Sequence, residues 1–143
     1  MKIFQLVLVL LCCLILGGCG QKLKGLVPCS GVVLKDGQPV EGVNITFIPV
    51  STDPQARGAN AVTDVNGNFN VITLQWNGIS PGKYKVTLSK RVTEVNPNQE
   101  SIPDNYKSVT HIEQLGKYAD PERSDLTVDI PKSGNKNLKL EIQ

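Results

Sequence analysis

Apolar positions along this chain follow two different patterns. Ile3 to Leu16 form a single apolar stretch of 14 residues without a charged side chain. From Cys29 onward apolar residues appear in short segments that alternate with polar ones, the period that places successive side chains on opposite faces of a strand. Cys29 to Leu34, rich in valine, predicts a first strand. Val43, Ile45 and Phe47 alternate with Asn44, Thr46 and Ile48 until Pro49 stops the run. Gly58 to Asp64 predicts a weaker third strand, and Phe69 with Val71 restarts the inward face. Tyr84, Val86 and Leu88 alternate with Lys83, Lys85, Thr87 and Ser89, the cleanest half-buried strand in the chain. Leu126, Val128 and Ile130, then Leu138, Leu140 and Ile142, predict two more.

Turn residues divide these segments. Lys35-Asp36-Gly37 has hairpin chemistry, and Asp64-Val65-Asn66-Gly67-Asn68 contains an Asn-Gly pair that accepts the positive φ angles of a tight hairpin. Trp76 to Gly82 and Pro131 to Asn135 mark two further turns. About seven short strands with almost no helical periodicity between them predict an all-β fold, an antiparallel β-sandwich in which each strand buries one face. Arg91 to Ser124 does not fit this rhythm. It reads as an extended loop over 91–124, longer than the connections of compact domains. Thr110-His111-Ile112-Glu113 has capping-box spacing within it and predicts one short helix.

The N-terminal apolar stretch follows Lys2 and ends in Leu16-Gly17-Gly18-Cys19. A basic start, an apolar core and small residues make up the layout of an export signal, and a core this short falls below the roughly 20 residues that cross a bilayer. Leu16 to Cys19 resembles the lipobox of bacterial lipoproteins. That resemblance implies cleavage between Gly18 and Cys19 and attachment of diacylglycerol to the Cys19 sulfur. Residues 1–18 are then a lipoprotein signal peptide, 19–28 a lipidated N-terminus and tether, and 29–143 one sandwich domain. Gly20 stands where an aspartate resembles an inner-membrane retention signal, so the expected address is the outer membrane, at its periplasmic face or the cell surface. Lys22 and Lys24 lie in the tether. A basic residue near anionic headgroups adds about 1 kcal/mol, little beside buried acyl chains, so they are assigned no role.

Composition narrows the function classes. Residues 19–143 suffice for one domain that buries roughly two-thirds of its unfolded surface. Losing Lys2 from fifteen basic residues leaves fourteen against thirteen acidic ones, which argues against a nucleic-acid partner. Cys12 and Cys13 leave with the signal and Cys19 is consumed by lipid. Cys29 is expected as a small buried hydrophobe on the first strand.

Catalytic chemistry finds few residues. His111 is the single histidine, so a two-histidine metal site cannot be assembled, and no Gly-x-Ser-x-Gly elbow accompanies it. We expect no enzyme, no metal and no cofactor. Asp64, Asn66 and Asn68 alternate as at the start of a calcium loop, but the position that needs glutamate is Gln75, and the hairpin turn is preferred. Trp76, Tyr106 and Tyr118, with Tyr84, are candidates for an aromatic contact patch. Tyr84 fits the core better, and Trp76 can equally cover a sheet edge. Asn44-Ile45-Thr46 matches a glycosylation acceptor and is read as strand.

Four segments together carry a second resemblance. Gly31-Val32-Val33-Leu34, Asp36-Gly37-Gln38-Pro39-Val40-Glu41-Gly42-Val43-Asn44-Ile45, Thr63 to Phe69 and Pro81-Gly82-Lys83-Tyr84-Lys85-Val86 resemble the successive signatures of carboxypeptidase-regulatory-like domains. Ile102-Pro103 with Tyr118, Ser124 and Leu126-Thr127 is similar to small planctomycete lipoproteins of that group. The chain departs in the longer insertion between Pro103 and Tyr118 and in Asp125, where the group often has glycine. The resemblance implies a transthyretin-like, or prealbumin-like, sandwich without catalytic residues. Hydroxyisourate hydrolases and intradiol dioxygenases of related fold need several histidines, which this chain lacks. The expected function is that of a lipid-anchored cell-envelope protein whose sandwich is a structural or protein-interaction module. The alternative is a solute-binding accessory that captures a carbohydrate or peptide through the 91–124 segment.

Overall fold

The computed structural model describes residues 23–53, 56–95 and 108–143. Among the described residues eleven strands run in order: β1 (Cys29–Lys35), β2 (Gln38–Pro39), β3 (Val43–Pro49), β4 (Ala59–Val62), β5 (Asn68–Asn70), β6 (Ile72–Thr73), β7 (Trp76–Asn77), β8 (Gly82–Val95), β9 (Ser108–Gln114), β10 (Thr127–Ile130) and β11 (Asn135–Ile142). One 3-10 turn, Gly116–Ala119, is the single helical element among the described residues.

The strands form two sheets. β1 is the centre of the smaller, with β11 along one edge and β2 and β5 sharing the other. The larger follows the order β10-β8-β3-β4-β6-β7, with β9 pairing β8 on the edge it shares with β10. Burial of one face on each sheet makes the molecule an all-β sandwich. Cys29, Val33, Phe69, Leu140 and Ile142 fill the core from the smaller sheet. Val43, Ile45, Phe47, Tyr84, Val86, Leu88 and Ile130 meet them from the larger. Phe47 lies at the centre, its ring edge-on to Tyr84 at 6.3 Å and tilted against Phe69 at 6.4 Å. Side chains of this size each contribute about 1.5–3 kcal/mol on burial, so the alternation is the main source of stability.

The expectation of an antiparallel sandwich of about seven strands is corrected in two respects. β1 and β11 run parallel, in register from Gly31 opposite Leu138 to Lys35 opposite Ile142. The additional strands are β2, β6 and β7, of two residues each, and β9. Pairings of two residues carry no repeat for a period to reveal.

The segment expected as an extended loop over 91–124 holds strand at 91–95 and 108–114 and a 3-10 turn at 116–119. β8 continues to Val95, and β9 returns antiparallel to it from Ser108 opposite Val95 to Gln114 opposite Ser89. The helix predicted over Thr110 to Glu113 is therefore strand. Capping-box spacing there coincides with Val109, Thr110 and Ile112, β-branched residues that suit a pleated strand, and pairing with the long β8 decides the outcome.

Two turns differ in kind. Asp36 and Gly37 both take positive φ, 50° and 77°, and join β1 to β2 as the predicted tight hairpin. At the second turn only Gly67 does so, at 72°. Asp64 Oδ1 accepts the Asn66 and Asn68 amides at 2.9 Å each, and the turn carries the chain from β4 in one sheet to β5 in the other. The predicted hairpin there is a crossing between sheets.

Val27 and Pro28, at the end of the stretch expected from sequence as a tether over 19–28, are hydrogen-bonded to the body. Val27 and Ile79 exchange backbone hydrogen bonds of 2.9 and 3.0 Å, and the Pro28 carbonyl accepts the Asn135 amide at 2.9 Å. Gly78, at φ 111°, makes room for this docking, since a Cβ there would stand 2.6 Å from the Val27 carbonyl oxygen.

Candidate ligand-binding site

Each residue singled out by sequence has a definite place or lies outside the described residues. Gly18, Cys19 and Tyr106 lie outside them. His111 falls in β9, opposite Val92. Trp76 is half-buried in β7, the last strand of the larger sheet, opposite Thr73. That is the sheet-edge position weighed for it from sequence.

Tyr118 does not join Trp76 in an aromatic patch. It sits in the 3-10 turn beyond β9, next to β8, while β3, β4 and β6 separate β8 from β7. Its ring is only 5% exposed, and its hydroxyl accepts the Gln143 amide at 3.3 Å. Lys117 Nζ lies 5.1 Å from the ring centroid and pairs with Asp125. The hollow of about 300 Å³ beside it is lined by Lys35, Leu115 and Gln143 among others. Tyr84 is a core residue whose hydroxyl donates to the Ser80 carbonyl at 2.9 Å.

Polar groups inside the sandwich are occupied with structure. Thr63 Oγ1 donates to the Val40 carbonyl at 2.7 Å and accepts the Val43 amide at 2.8 Å, tying both ends of the β2–β3 connection. Thr73 Oγ1 donates to the Gly78 carbonyl at 2.8 Å. Ser124 Oγ donates to the Val86 carbonyl at 2.6 Å, where β8 passes between β9 and β10. Among the described residues no buried side-chain polar atom lacks a partner. Nor do three His, Cys, Asp or Glu side chains gather there as ion ligands. Asp64 Oδ1, the first candidate calcium ligand, is engaged by two backbone amides of its own turn.

Cys29 is buried and unpaired, and burial pushes its thiol up to about 11. Only the thiolate attacks electrophiles, so this sulfur is inert near neutrality. The same burial raises Tyr84, helped by the negative charge Cys29 would carry.

What sequence reasoning missed is a cleft at the N-terminal end of the body. It has a volume of about 750 Å³ and opens between residues 23–25, the β3–β4 connection and the approach to β8. Among the described residues Lys24, Arg57 and Lys83 line it, all three exposed, with Asp53 as the one carboxylate. Ser51 and Ser80 add hydroxyls. Among the described residues none of these three cations is ion-paired. The three stand far apart in sequence, and only the folding of residues 23–25 against the sheet end brings Lys24 to the others. Comparisons with protein-family models, curated proteins and solved structures find no match for this chain.

Proposed function

We propose that this protein is a lipid-anchored component of the cell envelope whose β-sandwich, of transthyretin-like type, acts as a non-catalytic structural or protein-interaction module. The observation that carries the reading is the docking of Val27 and Pro28 onto the body. It leaves eight residue steps between Val27 and Cys19, a span of at most about 29 Å even when fully extended. A body on so short a leash works at the membrane surface rather than by ranging through the space beyond it. The apolar stretch ending in Leu16-Gly17-Gly18-Cys19 supports the same arrangement from sequence. Gly20 favours the outer membrane.

The test is the mass and fractionation of the mature protein in a bacterium that processes lipoproteins. We expect Cys19 as the N-terminal residue, carrying diacylglycerol and a further acyl chain, in the membrane fraction. Cys19→Ala releases the protein from membranes or leaves it unprocessed. A mature, freely diffusing product with an unmodified sulfur at Cys19 would falsify the anchor. The module reading is tested by co-purification from detergent-solubilised envelope. Saturable capture of a free sugar or peptide, lost in Trp76→Ala, would replace it with the solute-binding alternative.

A further inference from the structure

We propose that the cleft formed by Lys24, Arg57 and Lys83 binds the phosphate group of anionic lipid headgroups in the bilayer to which the chain is tethered. Three cations against one carboxylate give the cleft a net positive field. Arg57 contributes a planar fork that matches two phosphate oxygens, and the lysines act as point charges. The Ser51 and Ser80 hydroxyls line the same space and can donate to further oxygens. At about 750 Å³ the space exceeds a bare phosphate and accommodates the glycerol part of a headgroup. Gly25 and Gly82 line the same space.

Location selects the source of the phosphate. Lys24 stands five residues after Cys19, within about 18 Å of it along the chain. Surface potentials decay over roughly 8 Å in physiological salt, and a connection of at most about 18 Å lets the site approach the headgroups to within that field. Lys24 alone would add little, as its sequence position suggests. Folding places it with Arg57 and Lys83, and three converging cations make a site. The headgroup source rests on the lipid-anchored reading, whereas the affinity of the cleft for phosphate does not.

The experiment uses the full chain in neutral detergent micelles, titrated with glycerol 3-phosphate and followed by amide NMR. Saturable shifts are expected at Gly25, Gly82 and Lys83, and they vanish in the triple variant Lys24→Gln/Arg57→Gln/Lys83→Gln, which keeps a dispersed spectrum because all three side chains are exposed. The control Lys35→Gln/Lys132→Gln/Lys136→Gln keeps the shifts. Absence of saturable shifts, or equal loss in the control, overturns the site. A second arm places the protein in phosphatidylcholine vesicles with or without phosphatidylglycerol and reads lysine acylation by mass spectrometry. Phosphatidylglycerol is expected to slow labelling of Lys24 and Lys83 while Lys132 is unchanged, and the triple variant to bind such vesicles about 100-fold more weakly. Equal labelling in both vesicles, with the titration intact, overturns the headgroup as the source and leaves a site for soluble phosphate. If Cys19 proves unmodified, the anchor fails separately, and the micelle titration still decides the cleft.

Discussion

Gly31 faces Leu138 across the parallel β1–β11 pair so closely that a Cβ at position 31 would overlap the Leu138 carbonyl oxygen and stand 2.9 Å from its Cβ. The register of β1 shifts between Cys29 and Gly31, so the irregularity and the missing side chain occur together. Close approach is what lets β11 complete the smaller sheet.

Gly31→Ala should therefore push β11 off β1. Overpacking of this kind costs about 2–3 kcal/mol, and the urea midpoint should fall with little change in its slope. A shift within about 0.5 kcal/mol of the original, the range of an ordinary surface change, would mean that the two backbones do not meet here.

Ser124 replaces a strand at one rung of the larger sheet. Its Oγ donates to the Val86 carbonyl, and the Val86 amide reaches the Leu126 carbonyl at 2.9 Å, so residues 124–126 continue the edge between β9 and β10. Ser124→Ala leaves the Val86 carbonyl without that partner in a buried site. The expected loss is about 1–3 kcal/mol in chemical denaturation, and Ser124→Thr should recover part of it.

Cys29 supplies a pH dependence with a definite sign. Its thiol is 9.0 in the ordinary state and about 11 when folded, so the folded protein holds the proton more tightly. Stability from this group is complete below pH 9 and declines as pH rises towards 11, because unfolding then releases a proton. Tyr84, also raised, acts in the same alkaline direction. Denaturation measured at pH 8 and pH 10.5 should show the decline, and Cys29→Ala should reduce it. At pH 8 the peptide carrying Cys29 should stay unalkylated until denaturant is added. Rapid alkylation of the native protein would contradict the buried placement.

Gly78 controls the docking of Val27 onto the body. Gly78→Ala brings a Cβ against the Val27 carbonyl and burdens a φ of 111°. Residues 26–28 should then undock, seen as faster chymotryptic cleavage after Leu26 with the rest of the body still resistant. Unchanged cleavage would show that the Val27–Ile79 bridge does not hold the segment.

Strand faces were legible in the sequence because burial on one side imposes a period of two. Val43, Ile45, Phe47, Tyr84, Val86, Leu88, Leu140 and Ile142 all point into the core as the alternation predicts. Strand neighbours were not legible, since a period identifies a face and says nothing about which strand lies alongside or in which direction. The parallel meeting of residues 29–35 with 135–142 joins segments about a hundred residues apart, and no local signal encodes it. β9 escaped for another reason. Its Thr-x-x-Glu spacing mimics a helix start, and the partner that makes it a strand lies across a long connection.

The cleft shows the same division. Lys24 read alone is a tether lysine, and Arg57 and Lys83 read alone are surface charges. Trp76 and Tyr118 were grouped because aromatic side chains so often make contacts, yet Trp76 lies on β7 and Tyr118 in the 3-10 turn beside β8, with three strands between.

By itself the sequence determined the all-β class, the inward positions, the Asp36-Gly37 hairpin and the layout of apolar stretch, cysteine and body, because each follows from local conformational preference and the hydrophobic period. Tertiary structure alone decided the parallel closure by β11, the β8–β9 hairpin, the docking of residues 27–28 and the gathering of three cations beside them. Those features depend on which distant backbones come within hydrogen-bonding distance, and that is settled only when the two sheets close over a shared core.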